Sequence, residues 1–81
     1  MDSQSLQALV EHQTAELRAL FPQITDCHTA LVQWKEGDAT RYSLHLDIRW
    51  PQHQSLVSGP ARDRAEAAIE AGVRIARERM R

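Results

Sequence analysis

The segment Tyr42-Ser43-Leu44-His45-Leu46-Asp47-Ile48-Arg49-Trp50 alternates without a break. Tyr42, Leu44, Leu46, Ile48 and Trp50 fall on one side, and Ser43, His45, Asp47 and Arg49 on the other. A period of two over this length predicts a strand with one buried face and one wet face. Its apolar side is aromatic or aliphatic, which suits a pleated surface. Pro51 withholds a backbone donor, so the strand ends or turns there. This strand is expected at the centre of the sheet, with the other segments covering its apolar face.

Before it, residues 25 to 35 read as a weaker strand, with Cys27, Thr29 and Leu31 on one face and His28, Ala30, Val32 and Trp34 on the other. Glu36-Gly37-Asp38-Ala39 between them is turn chemistry, because glycine tolerates positive φ and aspartate closes its own turn. A hairpin follows. After Pro51, Gln54 to Ser58 reads as a short third strand antiparallel to the second.

Helical spacing flanks the strands. Over residues 3 to 21, Leu6, Leu9, Val10, Gln13, Leu17, Leu20 and Phe21 share a face, Ser3 or Asp2 suits the cap, and Pro22 stops the helix. At the other end, Ser58-Gly59-Pro60 is expected to open a helix whose buried stripe is Ala61, Ala65, Ala68, Ile69, Gly72, Val73, Ala76 and Met80. The small residues in that stripe predict close approach of helix and sheet. The expected fold is α+β with the order α-β-β-β-α: a three-stranded, mainly antiparallel sheet with both helices on one face. The 81 residues form one domain, 1–81, near the lower limit for a self-sufficient core.

Composition excludes several classes. A hydrophobic content of 42% with 26% charged residues fits a globule rather than a disordered chain. No apolar run approaches the roughly 20 residues needed to span a bilayer, and Met1-Asp2-Ser3-Gln4 lacks the order of a signal peptide. A single cysteine, Cys27, forms no internal disulfide, which favours a reducing, cytoplasmic setting. Ten basic residues against eleven acidic ones give no strong global field.

The candidates for chemistry are few. His12, His28, His45 and His53 lack any tight metal-binding spacing, so no metal site is expected. Cys27 reads as a small buried hydrophobe rather than a nucleophile. With no phosphate loop or nucleophile elbow, neither catalysis nor a cofactor nor a small-molecule substrate is expected. Arginine is the remaining signal: Arg62 and Arg64 at the expected start of the last helix, and Arg74, Arg77, Arg79 and Arg81 at its end. Arg74, Arg77 and Arg81 share a helix face and suit phosphate contacts. A solvated face, with Glu70 and Glu78 each four residues from Arg74, explains them as well.

Three blocks, taken together, resemble the ribosome hibernation-promoting factor family, also called the ribosome-associated inhibitor or sigma-54 modulation family. In the first, Ser3 through Leu6, Val10, Leu17 and Phe21 lead into Ile24-Thr25-Asp26-Cys27-His28, similar to the family's first helix and its I-T-x-C-x strand. In the second, Tyr42, Leu44, Leu46, Asp47, Ile48, Trp50 and Pro51 match its tyrosine, alternating aliphatics, aspartate and proline. In the third, Ala68-Ile69, Gly72-Val73, Ala76-Arg77 and Met80 are similar to its last helix.

The resemblance implies a β-α-β-β-β-α fold that binds the small ribosomal subunit through 16S rRNA and silences translation under stress, without cofactor or catalysis. Arg62, Arg64, Arg74, Arg77 and Arg81 would be the RNA contacts. The family's first strand has no counterpart before the helix near Met1, and Gln13 and Glu16 stand where relatives commonly carry basic residues. Without that strand, residues 25 to 35 become a sheet edge, so Cys27, Thr29, Leu31 and Gln33 are expected to form the seam of a homodimer or to take a strand from another chain. Two alternatives accompany this reading. One is a non-catalytic protein-interaction module that dimerises through the same edge. The other is a double-stranded-RNA-binding domain, which shares the α-β-β-β-α order and would use Arg62 and Arg64.

Overall fold

A computed structural model describes residues 3–81. Helix α1 (Ser3–Leu20) is followed by strands β1 (Asp26–Glu36), β2 (Ala39–Trp50) and β3 (His53–Ser58), and the chain closes with helix α2 (Ala65–Met80). The sheet has the order β1-β2-β3 and is antiparallel throughout. The fold is α+β in the expected order, with the alternating strand at the centre. The expected α1 cap, at Asp2 or the Ser3 side chain, lies outside the described residues.

Both hairpins are closed by two-residue loops. Glu36 faces Ala39 across Gly37-Asp38, and Gly37 takes φ +64°, the first-position conformation that a II′-type loop gives to glycine. Trp50 faces His53 across Pro51-Gln52. Here proline fixes the first position and Gln52 holds φ +69° at the second, as in a type II turn. A side chain in that region costs about 1–2 kcal/mol. The stacked rings of Trp50 and His53, 5.5 Å apart, lie across the base of this turn and help to offset that cost.

The core lies between one sheet face and the two helices. Leu44, Leu46 and Ile48 of β2 and Val57 of β3 are buried with Ile24, with Leu17 of α1, and with Ala68, Ile69, Val73 and Ala76 of α2. Helix α2 lies on β2 and β3, and α1 packs beside it against α2. Small residues set the separation. A Cβ at Gly72 would stand 2.8 Å from Leu44 Cβ, and one at Gly59 would stand 2.8 Å from the Gly72 Cα and 2.9 Å from the Leu44 carbonyl oxygen.

Several expectations require correction. Ser58-Gly59-Pro60 does not open the last helix; residues 59–62 continue along β2. Gly59 N–H donates to Leu44 O (2.8 Å), and Tyr42 and Arg62 exchange both backbone bonds (2.8 and 2.9 Å). Ser58 faces His45 while Arg62 faces Tyr42, so one extra residue is accommodated between them, as in a bulge. Pairing with β2 satisfies these backbone groups, and the helix starts only at Ala65. Ala61 is accordingly exposed and outside the helical stripe. Ser43, expected on the wet face, is 5% exposed because its hydroxyl donates to Gly59 O at 2.7 Å. Leu20, expected on the apolar side of α1, is 56% exposed. The chain leaves the helix there, and Phe21 packs against the core in its place.

No helix among the described residues covers the opposite sheet face. Asp47 sits on it, accepting from Gln54 Nε2 (2.9 Å) and from Arg49 Nη2 (3.2 Å). The Gln54 hydrogen bond, followed by the Arg49 contacts, holds the Asp47 carboxyl below its usual value of 3.8. Val32, Trp34 and Leu56 are exposed on this face as well.

Two outcomes are expected. Gly59→Ala should lose about 1–3 kcal/mol in urea denaturation, because its new methyl meets backbone on both sides. Gly72→Ala should also lose stability, since its new methyl meets Leu44 Cβ, which the backbone holds in place, and the Leu44 carbonyl oxygen; the helical gain of about 1 kcal/mol offsets only part of that clash. Equal, unperturbed midpoints would refute the close approach. The depressed Asp47 pKa means a contribution present above pH 3.8 and lost as pH falls through the lower folded value. Asp47→Asn should therefore flatten the acid limb of stability against pH, and an unchanged limb would refute this assignment.

Candidate nucleic-acid interface

Helix α2 has more arginine than its buried stripe can shelter, and the fold sends these side chains in different directions. Arg74 and Arg77 follow Glu70 at i+4 and i+7, next to the buried Ile69-Gly72-Val73-Ala76 stripe. Together with Gln13 of α1 they line a polar depression of about 220 Å³ between the two helices, floored by Val73. Arg74 is exposed and Arg77 half-buried. Arg77 therefore lays its stem along the helix pair, as long cationic side chains do when they cover apolar surface. Its Nε is buried and meets no acceptor among the described residues. A buried donor without a partner costs on the order of 1–3 kcal/mol.

No ion pair among the described residues uses Arg74, Arg77 or Arg81. Neither Glu70 nor Glu78 reaches Arg74 closely enough to neutralise it. Glu16 of α1 is engaged elsewhere, with His12 at 3.2 Å. The depression thus holds two guanidinium groups against one carboxylate, Glu70. Arg81 stands at the end of α2 as its C-cap and does not line the depression. Arg79 turns to the sheet side, where Nη1 donates to Leu56 O at 3.1 Å.

Arg62 and Arg64 are not in the first turn of α2. Arg62 belongs to the segment paired with Tyr42, and its Nη1 donates to Ala61 O at 2.9 Å. Arg64 is the N-cap residue without a side-chain cap bond, and its Nη2 donates to Glu66 Oε1 at 2.8 Å. Glu66 is held below the usual carboxylate range by its own backbone N–H and then by Arg64. Ten residues of helical rise separate Arg64 from Arg74, about 15 Å. The five candidate arginines therefore do not form one cluster. Arg74 and Arg77 converge, Arg81 lies just beyond them, and Arg62 and Arg64 sit at the far end.

The remaining candidates lie on the sheet. The four expected seam residues, Cys27, Thr29, Leu31 and Gln33, are on β1, which occupies the sheet edge. Cys27 is half-buried, and burial pushes its thiol pKa up, away from thiolate chemistry. His28 binds Asp26 at 2.7 Å, and His45 lies 3.3 Å from the Ser58 hydroxyl. No group of three or more metal-ligating side chains converges among the described residues. Sequence reasoning missed a shallow, mostly apolar depression of about 330 Å³ on the helix-free face, bordered by His28, Ala30, His45 and Leu56. The only signal for it was Leu56, an apolar residue on the strand face shared with Gln54 and Ser58.

No helix among the described residues is long and apolar enough to cross a membrane. No family model matches the chain, and neither a curated protein nor a solved structure matches it.

Proposed function

We propose that this protein is a ribosome-associated factor of the hibernation type, which binds the small subunit through 16S rRNA phosphates and restrains translation in the cytoplasm without catalysing a reaction. The observation that carries this reading is the pair Arg74 and Arg77. They line the α1/α2 depression together, and no carboxylate among the described residues forms an ion pair with either. A phosphate oxygen is the acceptor such a pair suits, because guanidinium donors match it in charge and geometry. The helix-strand-strand-strand-helix order supports the reading as far as the last five elements of the β-α-β-β-β-α order that the resemblance carried by Tyr42–Pro51 and by Ala68–Met80 implies. With a net charge of −1, recognition rests on local contacts and not on long-range attraction. Arg81 extends the contact surface beyond the helix end. Arg62 and Arg64 offer a second, weaker contact, since Arg64 is already engaged by Glu66.

The same element order also favours a double-stranded-RNA-binding reading. It ranks below the first because Arg62 and Arg64, which it needs at the start of the last helix, precede that helix, and Arg64 is ion-paired.

The test is co-sedimentation with purified small ribosomal subunits at low and moderate salt. Binding should weaken as salt rises, and Arg74→Gln with Arg77→Gln should reduce affinity and make the log–log salt slope shallower by roughly 1.5. Unchanged binding of that double variant would overturn the site. Absence of binding at both salts would overturn the function, and equal binding to a plain RNA duplex would favour the second reading.

A further inference from the structure

The backbone bonds of the sheet fix which groups of β1 point outward. Leu44 accepts from Gly59, and Tyr42 exchanges both bonds with Arg62, so even-numbered β2 residues bond toward the β3 side. In an antiparallel ladder the odd-numbered β2 residues then bond to β1, where their partners are Asp26, His28, Ala30, Val32, Trp34 and Glu36. The N–H and C=O groups of Cys27, Thr29, Leu31, Gln33 and Lys35 therefore face the outer edge of the sheet, where no strand among the described residues pairs with them. Asp26 Oδ1 covers the first of them, accepting from Cys27 N–H at 3.0 Å. The edge runs for 11 residues, about 37 Å, with no proline and one lysine near its hairpin end. Proteins ordinarily blunt such an edge with charge, proline or a cover.

We propose that β1 pairs with β1 of a second copy of this chain, antiparallel, about a twofold axis at Leu31. The strand reads nearly the same in both directions around that residue: Thr29-Ala30-Leu31-Val32-Gln33 is polar, apolar, apolar, apolar, polar. Self-pairing in this register sets Leu31 against Leu31, Thr29 against Gln33, and Ala30 against Val32 of the second copy. All outward N–H groups from Thr29 to Gln33 then find carbonyls, because the facing strand has the same parity. On the helix-free face, His28 meets Trp34 of the second copy, which covers the exposed Val32 and Trp34 (40% and 37%). The like charges that meet at the two ends, Asp26 and Glu36, are each paired within their own protomer, with His28 at 2.7 Å and Arg41 at 3.6 Å. Directly opposed residues share a face, so the product is a continuous six-stranded sheet with all four helices on one side.

The dimer does not rest on the RNA reading, and the variant lacking Arg74 and Arg77 should dimerise as wild type. The test is sedimentation equilibrium combined with amide exchange. Wild-type protein at about 100 µM should be mostly dimeric if Kd is on the order of 10 µM, with Thr29, Leu31 and Gln33 amides protected and losing that protection on dilution. Gln33→Pro removes only an outward donor, and Val32→Lys brings two cations near the axis on the open face; each should weaken the dimer by about tenfold or more while circular dichroism stays native. Leu56→Lys, on the same open face but on β3, should leave it intact. A monomeric wild type at that concentration, or tight dimerisation of Gln33→Pro, would overturn the proposal.

Discussion

The structure depends on the close approach of three backbones at Gly59, Gly72 and Leu44. Gly72 lets α2 rest directly on β2, and Gly59 lets the segment after β3 pass beneath the helix while donating to the Leu44 carbonyl. No side chain fits between these layers. Alanines on either side of Gly72 along the stripe, at positions 68 and 76, extend the same short separation. In a chain this small, tight contact is what allows a single short helix to bury Leu44, Leu46, Ile48 and Val57 together.

That contact also explains the exit from β3. Because Gly59 is pinned against β2, residues 59–62 keep pairing with it and the helix cannot begin at proline 60. Ser43 is drawn into the same arrangement, exchanging water for the Gly59 carbonyl. Seating α2 in this way turns Arg74 and Arg77 toward α1 and Arg79 toward the sheet rim. The distribution of arginines is thus a consequence of how the helix is seated, and helix periodicity alone does not give it.

The two sheet edges differ for a physical reason. Beyond β3, the chain itself continues the pairing with β2 through Arg62, and α2 lies over that side. On the other side, β1 is long, apolar at its middle and bordered by no strand among the described residues. RNA contact through the helix depression and self-association through β1 would use different parts of the molecule, one cationic and one formed by backbone groups.

The sequence by itself determined the element order, the central strand and its buried face, the turn within Glu36-Gly37-Asp38-Ala39, and the small-residue stripe of α2. These are local: each follows from a period or from the backbone demand of one residue. It also singled out Cys27, Thr29, Leu31 and Gln33, which share a parity that the ladder then turned outward. Tertiary structure alone decided the late start of α2, the burial of Ser43, the exposure of Ala61 and Leu20, and which arginines meet. Those outcomes depend on what lies across the interface. A Ser-Gly-Pro sequence permits a helix start, but bonds from Gly59 and Arg62 to β2 satisfy the same backbone groups first. Arg62, Arg64, Arg74, Arg77 and Arg81 look like one set in sequence. In the fold Arg62 and Arg64 precede the helix and Arg81 caps its end, while Arg74 and Arg77, one turn apart on one face, line the depression that the packing of α1 against α2 creates.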